Sequence, residues 1–248
     1  MTMPTRRVES IRETGQPRPL VSVIVVVKNG ERFLATALQS IFGQDYRQME
    51  VLIVDGQSTD ETACIAKSFE NIRYIWQENH DLANARNIGI QAARGDLIAF
   101  LDHDDVWAPN KLSTQADYLE NHSEILYTIT HVRFFLEQNH LLRPGFKRES
   151  FETGQIGCTP SALLARRVVF ERVGGFDPDF AVGCDADWFA RARDDAIPMG
   201  VIPKVLLYKR IHNANLSANV RTNKRELLTV IRDSIERKRQ RDVLGDQA

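Results

Sequence analysis

The sequence has 248 residues, with 32 lysines and arginines against 33 aspartates and glutamates. That balance excludes the strongly basic chains that hold nucleic acid, and a composition of 43% hydrophobic and 26% charged residues excludes a disordered chain. The three cysteines, Cys64, Cys158 and Cys184, follow no zinc or disulfide spacing, which points to a reducing compartment.

In chain order, residues 1–19 read as a loose polar leader without an apolar signal-type run. Val21–Val27 is apolar and β-branched, the composition of a buried strand. Lys28-Asn29-Gly30 breaks it, and Phe33, Leu34, Ala37, Leu38 and Ile41 recur at helical spacing up to Gly43. Val51–Val54 predicts a second strand running into Asp55, and Ser58-Thr59-Asp60-Glu61 opens a second helix with cap-type residues. Ile72–Trp76 predicts a third strand, Leu82–Ala93 a helix, and Leu97–Leu101 a fourth strand that again ends in acid. This alternation predicts a mostly parallel sheet with crossover helices.

Further on, a helix is expected over Lys111–Leu119 and a strand over Ile125–Phe135. Residues 137–157 read as a long polar loop, of the kind that often serves function. Ser161–Leu164 reads as a strand, Arg166–Val173 as a helix closed by Gly174-Gly175, Ala186–Arg193 as a helix, Val201–Tyr208 as a strand and Thr222–Arg239 as a terminal helix. No repeat or linker divides the chain, so 20–217 is expected to form one domain with a nucleotide-binding half at about 20–105, followed by a helix and tail at 218–248. No apolar run is long enough to span a bilayer, which leads to the expectation of a cytoplasmic protein, with peripheral contact at the inner face of a membrane left open.

In open parallel sheets, ligands bind beyond the carboxyl ends of the strands. Asn29 with Gly30, Asp55, and Asp102 with Asp104 all fall at such ends. Neither a dinucleotide fingerprint nor a P-loop is present. The apolar run I-A-F-L at 98–101 drives straight into D-H-D-D, and crowded carboxylates call for a cation. Side chains at i and i+2 can converge on one ion. Mg2+ or Mn2+ would take one or two such carboxylates and leave its other positions to phosphate and water. Surface acid and helix capping are the competing readings of the same string.

Several segments together resemble family 2 glycosyltransferases of the GT-A fold, over about residues 20–217. V-S-V-I-V-V-V-K-N-G-E-R-F-L at 21–34 is similar to the family's first strand and turn, and V-L-I-V-D-G-Q-S-T-D-E-T at 51–62 to its second strand and helix start. N-H-D-L-A-N-A-R-N-I-G-I at 79–90 resembles the segment ending in A-R-N-x-G, with Asp81 in place of a usual glycine. G-D-L-I-A-F-L-D-H-D-D at 95–105 carries the D-x-D motif, followed by a family-like W-x-P-x-K-L at 107–112. R-V-G-G-F-D-P-D-F-A-V-G-C-D-A-D-W-F-A-R at 172–191 resembles the stretch of the family's E-D pair, with Cys184 at the glutamate position. L-Y-K-R-I-H-N-A-N-L-S at 207–217 resembles Y-x-R-x-H-x-x-N-x-S.

The resemblance implies an α/β, Rossmann-like GT-A domain that moves a sugar, with inversion, from a nucleotide-diphosphate donor to an acceptor hydroxyl. Asp185 would be the general base. Val27, Asn29, Asp55, Arg86, Asp102, His103, Arg210 and His212 would face the donor. Asp104, with Asp102 and His212, would hold Mn2+ or Mg2+. Cys184 and Trp188 would lie toward the acceptor, in an acceptor-side half at about 106–217. The donor would be a UDP-, GDP- or dTDP-linked sugar, and the acceptor a glycan, a lipid-linked hydroxyl or another hydroxyl, with no nucleic-acid partner. Cell-surface glycan synthesis is the expected setting.

Plainer readings run beside these. Asp60 and Asp187 serve as helix caps, His212 as a structural histidine, and Trp107 and Trp188 as core. The string R-K-R-Q-R at 237–241 reads as a solvated face or as a contact with anionic lipid heads. Rival functions are a sugar nucleotidyltransferase, for which the first strand lacks a glycine-rich, arginine-bearing loop, and a non-catalytic nucleotide-sugar-binding scaffold.

Overall fold

The structure, a computed structural model, describes residues 18–78, 81–137, 149–213, 215 and 220–245. Most of the expected leader, the middle of the expected 137–157 loop, and parts of the N-H-D and N-A-N-L-S segments lie outside the described residues.

The front half follows the expected alternation. Strand β1 (Val21–Val27) leads to helix α1 (Leu34–Phe42), β2 (Met49–Asp55) to α2 (Thr62–Lys67), and β3 (Ile72–Trp76) to α3 (Leu82–Ala92), which returns to β4 (Leu97–Asp102). Beyond these come β5 (Val106–Trp107), α4 (Lys111–Asn121), β6 (Tyr127–Leu136), α5 (Glu149–Glu152), β7 (Gln155–Ile156) and β8 (Leu164–Arg166). The chain continues through α6 (Arg167–Val173), α7 (Cys184–Asp194), β9 (Met199–Ile211) and α8 (Val220–Gly245).

One mixed sheet collects the strands in the order β3-β2-β1-β4-β8-β6-β9-β5, with β7 on β6. Parallel pairing holds through β3, β2, β1 and β4, as expected. From β8 onward it gives way to antiparallel pairs, with β6 and β9 parallel to each other. The strand alternation of β1 sorts two apolar layers. Val21, Val23, Val25 and Val27 face a core built with α1 and α4. Ile24 and Val26 face another, built with α3, α6 and α7 around Trp188.

Two expected elements take other forms. Ser161–Leu164 is not a strand. Pro160–Ala162 forms a 3-10 turn and pairing begins at Leu164, because Ser161 is spent on anchoring the sheet edge: its hydroxyl accepts from Asp102 N at 3.0 Å and its carbonyl from Trp107 Nε1 at 2.8 Å. The described end of the 137–157 segment carries α5 and the β7 pairing, so it is not wholly loop. Helix α2 begins later than the S-T-D-E string suggests. Asp60 instead accepts from the backbone of Glu31 and Thr62, tying the turn after β2 to the turn after β1.

Gly89, an odd residue for a helix, lets α3 lie directly on β1, since a Cβ there would collide with Ile24. Gly175 is pressed against Asn87, whose side-chain amide bridges Phe176 N and O at 2.8 Å each. The A-R-N-I-G string thus does two structural jobs, Asn87 holding the Gly175–Phe176 turn and Gly89 seating α3 on β1.

Candidate functional site

The chain reverses direction across the sheet at β1, with β2 to one side and β4 to the other. A crevice forms at such a switch point, beyond the strands' carboxyl ends. Register aligns those ends: Val27 sits opposite Asp55, and Val26 opposite Asp102. A cavity of about 870 Å³ opens there. Val27, Asn29, Arg86, Asp102, His103, Asp104, Asp185 and His212 all line it, as do Lys209 and Asn215.

The turn after β1 is shaped to approach the acidic segment. Asn29 adopts a positive φ of 51°, and its side-chain oxygen accepts from Thr59 N at 2.9 Å. Gly30 lies so close to His103 that a Cβ would fall 2.8 Å from the ring. The acidic segment itself is pinned from behind by Ser161 and by Trp107, over whose ring the fully buried Lys111 ammonium rests at 4.1 Å. Burial pushes that lysine well below the ordinary lysine range.

Each carboxylate of D-H-D-D has its own cation or donor. Asp102 receives Arg86 Nη2 at 3.2 Å, with Lys209 Nζ 3.7 Å from its other oxygen. Asp104 Oδ2 meets His212 Nε2 at 2.9 Å and Asn215 Nδ2 at 3.1 Å. Asp105 is buried, accepts from Arg210 N at 3.0 Å, and lies 3.4 Å from Lys209 Nζ. Burial raises the Asp104 carboxyl, but the His212 hydrogen bond and the charges of His103 and Lys209 prevail and bring it down to about 2. Burial pushes Asp105 upward, with Lys209 pulling against it. Burial lowers Lys209, yet the surrounding Asp105, Asp102 and Asp104 prevail and keep it charged well above the ordinary lysine range. Lys209 is therefore the tethered cation that the crowded acids call for. In the sequence it stands beside Arg210 in L-Y-K-R-I-H, at a position the Y-x-R-x-H pattern leaves open.

Across the cavity, Asp185 stands in the first turn of α7. Its Oδ1 accepts from Ala186 N at 2.7 Å. Burial pushes its carboxyl above the usual range, and the Arg86 charge works in the opposite direction. Arg86 is buried and donates Nη1 to Cys184 Sγ at 3.3 Å. Cys184 is fully buried behind Arg86, so it does not line the cavity, and burial pushes its thiol up to about 11.

The approach to α7 is held by a residue with no signal in the sequence. Glu226 of α8 accepts from three successive backbone amides, Ala181 N at 3.1 Å, Val182 N at 3.0 Å and Gly183 N at 2.6 Å. Asp187 does not cap the helix as expected. It pairs with Arg191 at 2.7 Å, and Arg191 goes on to hold the carbonyls of Val173 and Gly175.

Three other expected site residues stand off the cavity. Asp55 is buried, with one oxygen taking Ser58 N at 2.8 Å and the other Tyr74 OH at 2.6 Å, which leaves its neighbour Gly56 at the cavity. Arg210 is sandwiched between Phe33 and Phe135 and donates Nε to the Asp104 carbonyl at 3.0 Å. Trp188 is fully buried, stacked on Phe170 with Nε1 donating to Gly174 O at 3.1 Å, so it is core rather than acceptor wall. Asp81, the departure from glycine, caps α3 through Ala83 N at 2.8 Å.

Residues 22–174 match glycosyl transferase family 2, and the chain belongs to that family. It is 32% identical over 214 residues to an uncharacterized glycosyltransferase of Rickettsia prowazekii, covering 79% of this chain and 65% of that protein. It is 25% identical over 212 residues to the Escherichia coli UDP-Glc:alpha-D-GlcNAc-diphosphoundecaprenol beta-1,3-glucosyltransferase WfaP, covering 81% of this chain and 80% of that protein. Among solved structures, S. aureus TarS 1-349 in complex with UDP-GlcNAc superposes with a TM-score of 0.71 at 18% identity, covering 88% of this chain and 66% of that chain. The mannosyltransferase PcManGT from Pyrobaculum calidifontis, in complex with GDP-Man and Mn2+, gives 0.69 at 20% identity, covering 93% and 68%. These likenesses establish the GT-A fold.

Proposed function

We propose that this chain transfers a sugar from a nucleoside-diphosphate sugar to an acceptor hydroxyl, with inversion, in the assembly of a cell-surface glycan. The observation that carries this reading is one cavity onto which Asp185, the Asp104–His212 pair and Lys209 all open. A base on one wall and cations on the other are what an in-line displacement of a diphosphate requires. The sugar nucleotides bound to TarS and PcManGT, and the UDP-Glc donor in the name of WfaP, support a UDP- or GDP-linked donor, with a dTDP-linked one also in range. The diphosphoundecaprenol acceptor of WfaP supports a lipid-linked hydroxyl as the acceptor class.

In this mechanism the acceptor oxygen attacks the anomeric carbon while Asp185 takes its proton, which requires an approach of about 2.6–3.2 Å. The bond from the anomeric carbon to the diphosphate breaks, and the diphosphate departs with the electron pair. Lys209 faces the oxygens on which that charge collects. Arg86 fixes Asp102 and shapes the wall between donor and base. Arg210 acts through the Asp104 backbone, and Asp55 through the turn that carries Gly56. Glu226 positions Asp185 by fixing the backbone just before it.

The residues fit a divalent cation shared with the donor. Asp104 and His212 line the cavity, and an ion taking the place of the proton that Oδ2 and Nε2 share would have a carboxylate oxygen and an imidazole nitrogen as its one or two protein ligands. Among the described residues no group of three or more His, Cys, Asp or Glu side chains forms a cage that would hold a metal alone, so the ion would need the diphosphate. When bound, such an ion supplies Lewis-acid neutralisation of the leaving group.

The test is release of nucleoside diphosphate from a panel of sugar nucleotides, with lipid-linked and simple glycoside acceptors, by the wild type and Asp185→Asn. Acceptor-dependent release by the wild type, reduced about 100-fold or more in the variant, is expected. Equal release by both proteins would remove Asp185 from the mechanism.

A further inference from the structure

Helix α8 packs through one face only. Inward, Val230 and Ser234 are buried, and Ser234 Oγ and Arg237 Nε bind Asp194 of α7 at 2.9 and 3.0 Å. Lys238 and Arg241 also turn to Asp194 and Asp195, so three of the four cations in the 237–241 string serve the packing of α8 on α7.

Outward, Leu227, Leu228, Ile231 and Ile235 are 51%, 68%, 48% and 46% exposed. Residues 227, 231 and 235 follow one another at four-residue spacing, and 228 lies beside them three before 231, so all four share a stripe. Isolated exposed apolar residues are ordinary, whereas four large ones on one face form a patch that calls for a partner.

The charges bordering the stripe have one sign. Lys224 stands seven residues before Ile231 and Arg239 one turn beyond Ile235, whereas Lys238 reaches back to Asp194 and Arg232 is paired with Asp233 at 3.1 Å. Glu226 is turned inward onto the 181–183 backbone, and helical spacing carries Asp233 and Glu236 away from the stripe. A second copy docked face to face would bring these cations against one another, which disfavours self-association through this face. An apolar stripe bordered by lysine and arginine suits a helix lying in the interfacial plane of a bilayer, with its cations near anionic headgroups. No described helix is long and apolar enough to cross a membrane, so the contact is with the surface.

We propose that the outer face of α8 docks this protein on a membrane surface carrying anionic lipid. The surface is independent of the transfer reading. Where both hold, the docking helix is also the one whose Glu226 grips the rim of the cavity, so the membrane and the proposed base are joined through one rigid element.

The test is sedimentation of the protein with vesicles of phosphatidylcholine alone and of phosphatidylcholine mixed with phosphatidylglycerol. Binding to the mixed vesicles, weakened by salt, is expected. Leu228→Asp combined with Ile231→Asp should lower the partition coefficient about tenfold or more. Lys224→Glu with Arg239→Glu, which leaves the apolar stripe whole, should lower it for the mixed vesicles and leave phosphatidylcholine binding unchanged. Circular dichroism and nucleotide binding, measured on each variant, separate a docking defect from misfolding and from failure of the transfer reading. Absence of wild-type binding to the mixed vesicles, or binding unaltered in both variants, would overturn the proposal. So would a wild-type dimer in sedimentation velocity that the Leu228/Ile231 variant dissolves without any vesicle binding.

Discussion

Lys209 is the residue on which the electrostatics of the cavity turn. Its ammonium lies 3.4 Å from Asp105 and 3.7 Å from Asp102, so removing it leaves two carboxylates facing each other without their shared cation. Lys209→Met should weaken nucleotide-diphosphate binding and cost about 1–3 kcal/mol of stability, since loss of one partner strands the other charges. Calorimetry and urea unfolding of the same variant would check both. Asp104 carries a separate pH signature. Its carboxyl falls from 3.8 to about 2 on folding, a depressed value, so the stability it contributes is whole above pH 3.8 and is lost as pH falls toward about 2. Unfolding midpoints measured across that window should drop in the wild type and drop less in Asp104→Asn. Asp185 is raised instead, and in its proposed role as base it works only when deprotonated. The acid limb of its turnover profile should therefore lie above the ordinary aspartate range of about 3.9, and a limb at or below that value would contradict the burial argument.

At this scale the sequence marked Asp102, Asp104, Arg86, Asp185 and His212, all of which line the cavity, because each sits in a short motif at a strand end or in the first turns of a helix. It disclosed neither Lys209 nor Glu226. Lys209 falls at the open position of the Y-x-R-x-H pattern, and Glu226 acquires its meaning only through backbone amides 43 to 45 positions away. Asp55 was placed at the cavity by its strand-end position and its motif, and Trp188 by motif alone. Tyr74 and Ser58 claim the first, and the aromatic cluster with Phe170 claims the second.

Among the elements, α3 and α8 carry the consequences. Helix α3 can lie on β1 only because residue 89 has no side chain. Gly89→Ala would push into Ile24 in the middle of a strand and should cost about 1–3 kcal/mol despite the higher helix propensity of alanine. A gain in thermal midpoint would show that the helix can shift freely. Glu226→Ala leaves three backbone amides without their acceptor. Turnover should fall several-fold while donor affinity stays within about twofold, and Glu226→Gln, which keeps an acceptor oxygen, should restore most of the loss. Equal loss in both variants would mean that the charge, not the positioning, matters. Periodicity read the front strands and helices closely, since buried parallel strands and amphipathic helices leave strong patterns. It failed over residues 160–166, where Ser161 is diverted to hold Asp102 and Trp107, an anchoring contact that no period encodes.

Over the whole molecule, sheet topology creates the site: the reversal at β1 opens the crevice, and the register of β2 and β4 sets their ends beside it. The continuation through the antiparallel strands β8 and β6 to β9, which runs parallel to β6, then brings Lys209 and His212 to the same place from the far end of the chain. Since the Asp104–His212 pair is not a metal cage by itself, metal and nucleotide should bind as a unit. The most direct measurement is calorimetric titration of UDP, GDP, dTDP and their sugar conjugates into the protein, first with Mn2+ and then with excess chelator. Binding of one nucleotide class with Mn2+, lost in chelator, with little binding of Mn2+ alone, is the predicted result. Folded protein that binds none of these nucleotides, with or without Mn2+, would contradict the assignment of this cavity to a nucleotide-sugar donor.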